Sequence, residues 1–354
     1  MNILHLQNNL NITCGVTKTI YLILKNSHES YTHYLICLGG DGIMRFDRIG
    51  HPPIVLKNSR SSILSIIKNY FYILKFCRQN KIDIIHSHHR YFDLISYFIS
   101  RLINVKTVTT VHSKLNNFKS ISYKAGHFIA VSESIKRNLI DNFKINIDKI
   151  SVINNFASEN DFYSETDEKF EHNLNIKAKK IIFVGRLSRE KGIDILLKAF
   201  EEILSQNINA CLILVGDGEE RELVESYLRE NNSKIFLIKP NLKIKKFYER
   251  ADIVVLPSRV DPFPLVMLEA GLMKKPFIGS NVDGISEVIE ENINGLLVKP
   301  ENINDLAEAI SFLLNNESKA KELGENLYKK VTSEFSPEII IPKYEALYNN
   351  LVND

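Results

Sequence analysis

Short runs of β-branched and aliphatic residues alternate along the chain with stretches whose apolar positions recur every three or four residues. That rhythm predicts parallel sheets assembled from βαβ units. In the first half it places strands at residues 2–6, 34–38, 82–86, 105–111 and 127–131, with helices at 17–24, 62–78, 92–102 and 134–141 between them. The rhythm then restarts, with strands at 180–184, 210–215, 235–238, 253–256 and 277–279 and helices at 193–205, 221–230, 244–251 and 265–273. Between residues 154 and 175 the apolar periodicity fades and polar runs such as Ser158-Glu159-Asn160-Asp161 take over, which marks a linker. The expected architecture is α/β, two tandem Rossmann-like doubly wound domains: residues 1–160, residues 161–335, and a C-terminal helix over 336–354 packing back toward the first domain. Such sheets bind ligands beyond the carboxyl ends of their strands, so the chemistry is expected in the loops that follow them.

Composition narrows the class. At 354 residues and 44% hydrophobic, the chain has the length of two domains with real cores. No apolar run reaches the roughly 18 residues that would span a bilayer. The segment Met1 to Gln7 lacks the basic flank and cleavage site of a signal peptide, so a cytoplasmic location is expected. Cys14, Cys37, Cys77 and Cys211 are scattered without a CxxC pair and read as reduced thiols. The formal net charge is only +3, yet residues 1–150 hold 20 Lys+Arg against 8 Asp+Glu, a net of +12, and residues 151–354 hold 25 against 34, a net of −9. The basic half suits a negatively charged acceptor or surface.

Two segments carry chemistry. Phe183 to Gly192 reads as a strand end, Gly185, then a short loop with Arg186 and Lys191, then a helix opening at Gly192. Unpaired N–H groups at a helix start, with two cations beside them, suit a diphosphate; a solvated charged turn is the plainer alternative. Pro257 to Gly271 holds two carboxylates eight positions apart, Asp261 in a loop and Glu269 about one turn inside the next helix, among Leu265, Val266 and Leu268. A carboxylate on such a face needs partners. Sugar hydroxyls would serve, and so would local pairing with Lys274 or Lys275. His86-Ser87-His88-His89 has the look of ligand spacing, but successive side chains along a strand alternate faces, and no metal is expected.

Gly185-Arg186-Leu187 and Glu190-Lys191-Gly192, followed by Asp261 70 positions after Lys191, then by Glu269, Asp283 to Val288 and Asn294 to Val298, resemble the motifs of the retaining glycosyltransferases of family four. In that family's GT-B fold two Rossmann-like domains face each other across a cleft. The likeness covers nearly the whole chain and is strongest from Ile182 to Ile310. It implies a nucleoside-diphosphate sugar donor, UDP or GDP foremost, and a saccharide or lipid-linked saccharide acceptor in cell-surface polysaccharide or lipopolysaccharide synthesis. No cofactor or metal is implied. Glu269 would hold the ribose hydroxyls. Arg186, Lys191 and the backbone N–H groups of Leu265 and Val266 would hold the diphosphate, and Asp261 would stand at the hexose as a catalytic group. In the first half the resemblance places Gly15 in the loop after the first strand and has His112 reaching the donor sugar; a satisfied histidine at a strand end is the plainer reading of His112.

The chain departs from the family pattern at several positions. Asp261 is one methylene shorter than the usual Glu, Pro264 removes a backbone donor, Gly15 stands alone where a Gly pair is common, and Lys239 stands where a small residue is usual beside the base. Other classes lack their signatures. There is no GxGxxG for a dehydrogenase and no GKS or GKT for a P-loop enzyme, and the acidic second half speaks against nucleic acid. The rivals that share the fold are an epimerase, a phosphorylase or a non-catalytic nucleotide-sugar-binding subunit. Finally, helix 62–78 sets Ile63, Ile66, Ile67, Tyr70, Phe71 and Leu74 at helical spacing, with Arg60, Lys68, Lys75 and Arg78 nearby. Core packing is the first expectation for that stripe, and contact with an anionic membrane, such as the cytoplasmic face of the inner membrane, the second.

Overall fold

The computed structural model describes residues 1–57, 62–114, 122–162, 177–230, 234–240 and 244–353. The chain forms two compact units, one of Met1–Asn155 with Pro337–Asp354 and one of Phe156–Ser336. The break thus falls slightly earlier than the expected boundary at 160, for a local reason. Thr19 Oγ1 donates to Asn155 Oδ1 at 3.2 Å within the first unit, whereas Ala157 N donates to Phe335 O at 3.1 Å within the second. Most of the polar linker, residues 163–176, lies outside the described residues, as does Arg60.

The first unit is built on a parallel sheet of seven strands: β1 (Asn2–Asn9), β2 (Thr32–Gly39), β3 (Ile54–Val55), β4 (Ile84–Ser87), β5 (Lys106–Val111), β6 (His127–Ala130) and β7 (Ile150–Val152). Their order across the sheet is β3-β2-β1-β4-β5-β6-β7. The helices between them are α1 (Gly15–Asn26), α2 (Ile43–Asp47), α3 (Ile63–Gln79), α4 (Arg90–Ser100) and α5 (Glu133–Phe143). The second unit holds β8 (Lys179–Val184), β9 (Ala210–Val215), β10 (Ile235–Ile238), β11 (Ile253–Leu256), β12 (Phe277–Ser280) and β13 (Leu296–Val298), in the order β10-β9-β8-β11-β12-β13. Its helices are α6 (Ile193–Ser205), α7 (Arg221–Glu230), α8 (Lys245–Arg250), α9 (Leu265–Leu272), α10 (Ile285–Val288), α11 (Ile303–Asn315) and α12 (Glu317–Glu334). The last helix, α13 (Pro337–Asn353), belongs to the first unit and packs against α1.

Every residue of β9, β11 and β12 is buried, as expected of parallel strands covered on both faces, and such strands read as unbroken apolar runs. The strands that the rhythm did not announce, β3, β7 and β13, are two or three residues long and lie at sheet edges, too short to show any period. In each unit the strand order reverses once, beside β1 and β4 and beside β8 and β11. At such a switch point the loops after two neighbouring strands diverge to opposite faces and leave room for a ligand.

Helix α3 departs from the expected packing. Leu74 is buried with Ile73 and Cys77, but Ile63 is 76% exposed, Phe71 60% exposed, and Ile66 and Ile67 are exposed as well. Of the expected stripe only Tyr70 and Leu74 pack inward, Leu74 joining Ile73 and Cys77 in the cluster around Leu56, Ile82 and Phe92 and Tyr70 packing against it.

Candidate active site

In the second unit, the loops after β8 and β11 meet at the switch point. Beyond Val184 the chain turns at Gly185 and enters a single 3-10 turn, Arg189–Lys191, capped by Ser188, whose Oγ accepts from Lys191 N at 3.3 Å. Gly192 then sits at φ +72°, and a Cβ on it would lie 1.9 Å from the carbonyl oxygen of Pro257. Glycine alone lets this turn lie against the loop after β11. From that loop Arg259 reaches back. Its backbone N–H donates to Glu190 O at 2.8 Å, and its guanidinium donates to both carboxylate oxygens of Asp194 at 2.8 Å and to Glu301 Oε1 at 2.6 Å. Hydrogen bonding from Arg259 holds the Asp194 carboxyl below its usual range.

This clamp brings Lys191 to Asp261. The ammonium lies 2.5 Å from Asp261 Oδ2, and Ser258 Oγ donates to the same oxygen at 3.3 Å. Asp261 is 3% exposed, so its carboxylate depends on these partners in place of water. Its backbone is fixed as well: Asp261 N donates to Asp283 Oδ2 at 3.2 Å and Gly284 N donates to Asp261 O at 3.2 Å.

Four residues on, α9 opens with Leu265 and Val266, and Pro264 stands at the preceding cap position. At that position Pro264 leaves the helix start without the N-cap N–H, while the N–H groups of Leu265 and Val266 remain. Glu269, within α9, is 3% exposed and accepts from Tyr248 O–H at 2.7 Å on Oε2. Burial pushes the Tyr248 phenol well above its ordinary pKa, so it stays a donor. The lysines considered as local partners are engaged elsewhere, Lys274 with Glu325 and Lys275 with Glu249 O. Arg186 is exposed beside Gly185, and Lys239 is exposed just after β10. Arg259, Asp194 and Tyr248 were not anticipated. Tyr248 lies 21 positions from Glu269 on another helix, and nothing in its own segment announces the contact.

Gly15 and His112 belong to the first unit. Gly15 is the first residue of α1, and His112 follows β5, partly buried. Around His112 the structure shows a face that sequence reading overlooked. His5 of β1 pairs in register with His86 of β4, and residues two apart share a face, so His86 and His88 project together; His89 instead caps α4, accepting from Tyr91 N at 3.1 Å. His33 joins them from β2 and Thr110 from β5. His5, His86 and His88 bring ring nitrogens within 4.8 Å of one another. Both nitrogens of His86 are occupied, however, Nδ1 by Tyr348 O–H and Nε2 by Thr110 Oγ1, each at 2.7 Å. This is a hydrogen-bonded imidazole cluster. Burial lowers the pKa of each member, His33 to about 4, His86 and His112 to about 3, and His5 and His88 well below the usual value.

Two family profiles match the chain: "Glycosyl transferases group 1" over residues 164–330 and "Glycosyltransferase Family 4" over residues 14–160. An uncharacterized glycosyltransferase of Methanocaldococcus jannaschii is 30% identical over 295 residues, which cover 76% of this chain and 75% of the relative. The N,N'-diacetylbacillosaminyl-diphospho-undecaprenol alpha-1,3-N-acetylgalactosaminyltransferase of Campylobacter jejuni is 27% identical, with 86% and 88% covered. Among solved structures, Anabaena HepE in complex with UDP-glucose superposes with a TM-score of 0.86 over 99% of this chain and 100% of that one, at 19% identity.

Replacing Gly192 with Ala should destabilise the second unit by roughly 1–3 kcal/mol through its left-handed backbone and its collision with Pro257, read as a lower denaturant midpoint. The histidine face makes a separate prediction. Its members are neutral when folded and titrate near pH 6.5 when unfolded, so the unfolded chain binds more protons below that pH, and stability is lost as pH falls from about 6.5 toward 4. Nine of the ten histidines lie in residues 1–155. Amide-exchange protection in β1 and β4 should therefore drop between about pH 7.5 and pH 5 far more than in β8 and β9. Equal losses in both sheets would contradict this.

Proposed function

The chain belongs to the glycosyl transferases of group 1, and we propose that within this family it moves a hexose, with retention, from a nucleoside-diphosphate sugar to a saccharide or lipid-linked saccharide in cell-surface polysaccharide or lipopolysaccharide synthesis. The observation that carries this reading is the Lys191–Asp261 contact at 2.5 Å beside the opening of α9. An ammonium has three donors, so Lys191 can hold Asp261 and a phosphate oxygen together. The N–H groups of Leu265 and Val266, with Arg186, add donors and positive charge for the diphosphate, and these offset its charge without requiring a metal. Glu269, already held on one oxygen by Tyr248, receives the ribose hydroxyls. In the reaction the acceptor hydroxyl attacks the anomeric carbon on the face from which the diphosphate departs. The glycosidic bond forms as the carbon–phosphate oxygen bond breaks, and the hydroxyl proton passes to the leaving phosphate oxygen. Asp261 steadies positive charge at the sugar, and His112 donates to a sugar hydroxyl. UDP is the first nucleotide to test, since the Anabaena structure of this fold holds UDP-glucose. The name of the Campylobacter relative, which specifies an undecaprenol-linked acceptor, supports the lipid-linked class.

A lipid-linked acceptor also gives a use to the exposed half of α3. Ile63, Leu64, Ile67 and Phe71 stand in solvent beside exposed Lys68, Lys75 and Arg78, on the half of the chain that carries the net +12. We assign this face to an anionic lipid surface, where each basic residue contributes about 1 kcal/mol. No helix among the described residues is long and apolar enough to cross a membrane.

Thermal-shift measurements against UDP, GDP and ADP sugars should show stabilisation by a UDP or GDP sugar, and the same donor should be consumed with release of its nucleotide. Stabilisation by none, with no nucleotide released, would overturn the transferase reading. Asp261→Asn should reduce kcat by roughly 100-fold or more, while Glu269→Gln should weaken donor binding by roughly tenfold or more. In sedimentation with vesicles at low salt, the protein should pellet with anionic but not with neutral vesicles, and replacing Ile67 and Phe71 with Asp should abolish this. Indifference to lipid charge would remove the membrane assignment.

A further inference from the structure

We propose that four imidazoles of the first unit, His33, His5, His88 and His112, form one hydrogen-bonded chain that holds His112 in the tautomer protonated on Nδ1, so that it presents an N–H donor. The contacts run in series. His33 Nδ1 lies 2.9 Å from His5 Nε2, His5 Nδ1 lies 3.1 Å from His88 Nε2, and His88 Nδ1 lies 3.3 Å from His112 Nε2. A neutral imidazole carries one N–H and one lone pair, so three contacts in series require every ring to donate in the same direction. The lowered pKa values of all four rings agree with a neutral chain.

Two directions satisfy the three contacts, and the far end selects between them. His33 Nε2 is buried and has no hydrogen-bond partner among the described residues. Donation toward His33 would leave an orphaned N–H at that atom, whereas donation toward His112 leaves a lone pair. Orphaned buried N–H groups are the rarer state in folded proteins. The proton of His33 is therefore on Nδ1, and each ring donates outward until His88 Nδ1–H meets His112 Nε2. His112, the partly exposed end, then has its own proton on Nδ1.

His86 is not a link, because Tyr348 and Thr110 hold both of its nitrogens. It instead packs on the chain, its ring centroid 4.2 Å from that of His88 and 5.1 Å from that of His5, which opposes ring flips that would reverse the direction. Tyr348 anchors His86 from α13, so the C-terminal helix helps to fix the cluster. For the use of the donor the inference rests on the transferase reading: a His112 fixed as Nδ1–H can bond a sugar hydroxyl as a donor, and its one lone pair, on Nε2, is engaged by His88 and does not take the acceptor's proton. His33, His5 and His88 are positioning residues.

Long-range 1H–15N imidazole correlation spectra of the full-length 15N-labelled protein at neutral pH read the tautomers directly. All four rings are expected to carry the proton on Nδ1, in His112 by roughly tenfold or more over the other tautomer, the ratio one hydrogen bond supports. His88→Leu should release His112 into a mixture of tautomers, and His5→Leu should shift it the same way. His127→Leu, outside the chain, should leave it unchanged. A proton on Nε2 of His112, or a mixture in the unsubstituted protein, would overturn the inference even if the variants failed to fold. So would an unshifted His112 in folded His88→Leu. The spectra need no substrate. Absence of donor turnover alongside the Nδ1–H tautomer would therefore count against the transferase reading and leave the imidazole chain standing.

Discussion

The second unit is most constrained where Lys191 meets Asp261. A carboxylate that is 3% exposed cannot rely on water, and without the Lys191 ammonium Asp261 would keep only the Ser258 hydroxyl on the same oxygen. The contact exists because two loops separated by 70 positions leave neighbouring strands at the switch point and are then clamped together. Gly192 admits the Pro257 carbonyl, Arg259 forks onto Asp194, and Gly284 N–H fixes the backbone of Asp261. A well-packed apolar pair could stabilise these loops equally well.

The two units solve opposite electrostatic problems at equivalent places in their sheets. Beside β8 and β11 the second unit gathers formal charges and satisfies them with each other. Beside β1 and β4 the first unit buries imidazoles that burial keeps neutral, and satisfies them by donation from ring to ring. The near-zero net charge of the whole chain conceals this contrast. The positive excess of the first half lies outside its histidine face, on surfaces such as α3, where Lys68, Lys75 and Arg78 are exposed.

Much of this was legible in the sequence because parallel strands buried on both faces are written as short apolar runs. The central strands β1, β8, β9 and β11 fall where those runs lie. The edge strands β3, β7 and β13 were not legible, since two or three residues cannot express a period. The cations and carboxylates of the loops after β8 and β11 could be singled out by type and position, but their pairing could not, because it depends on strand order. Tyr248 and Arg259 were missed for the same reason: their partners are distant in sequence and become neighbours only through the sheet. The histidines show a subtler failure. Alternation along a strand separates neighbours such as His86 and Ser87. The same rule joins His86 to His88 and, across the register, to His5.

Helix α9 shows why such sites resist reading from stability alone. It is apolar on every side, and each of its residues except Val266 is buried, as befits a helix enclosed by its own domain. Glu269 violates that pattern. A hydrogen bond from Tyr248 satisfies one of its oxygens, yet Leu or Met at that position would suit the surroundings better. Local propensity, burial and polarity agree along the rest of α9 and disagree at this residue. The buried carboxylate is held by a partner from another helix, Tyr248, and not by anything in the pattern of α9 itself. The face of neutral imidazoles departs from its surroundings in the same way, since aliphatic residues in a sheet interior would ask for no hydrogen bonds, whereas these rings are satisfied only by partners on neighbouring strands.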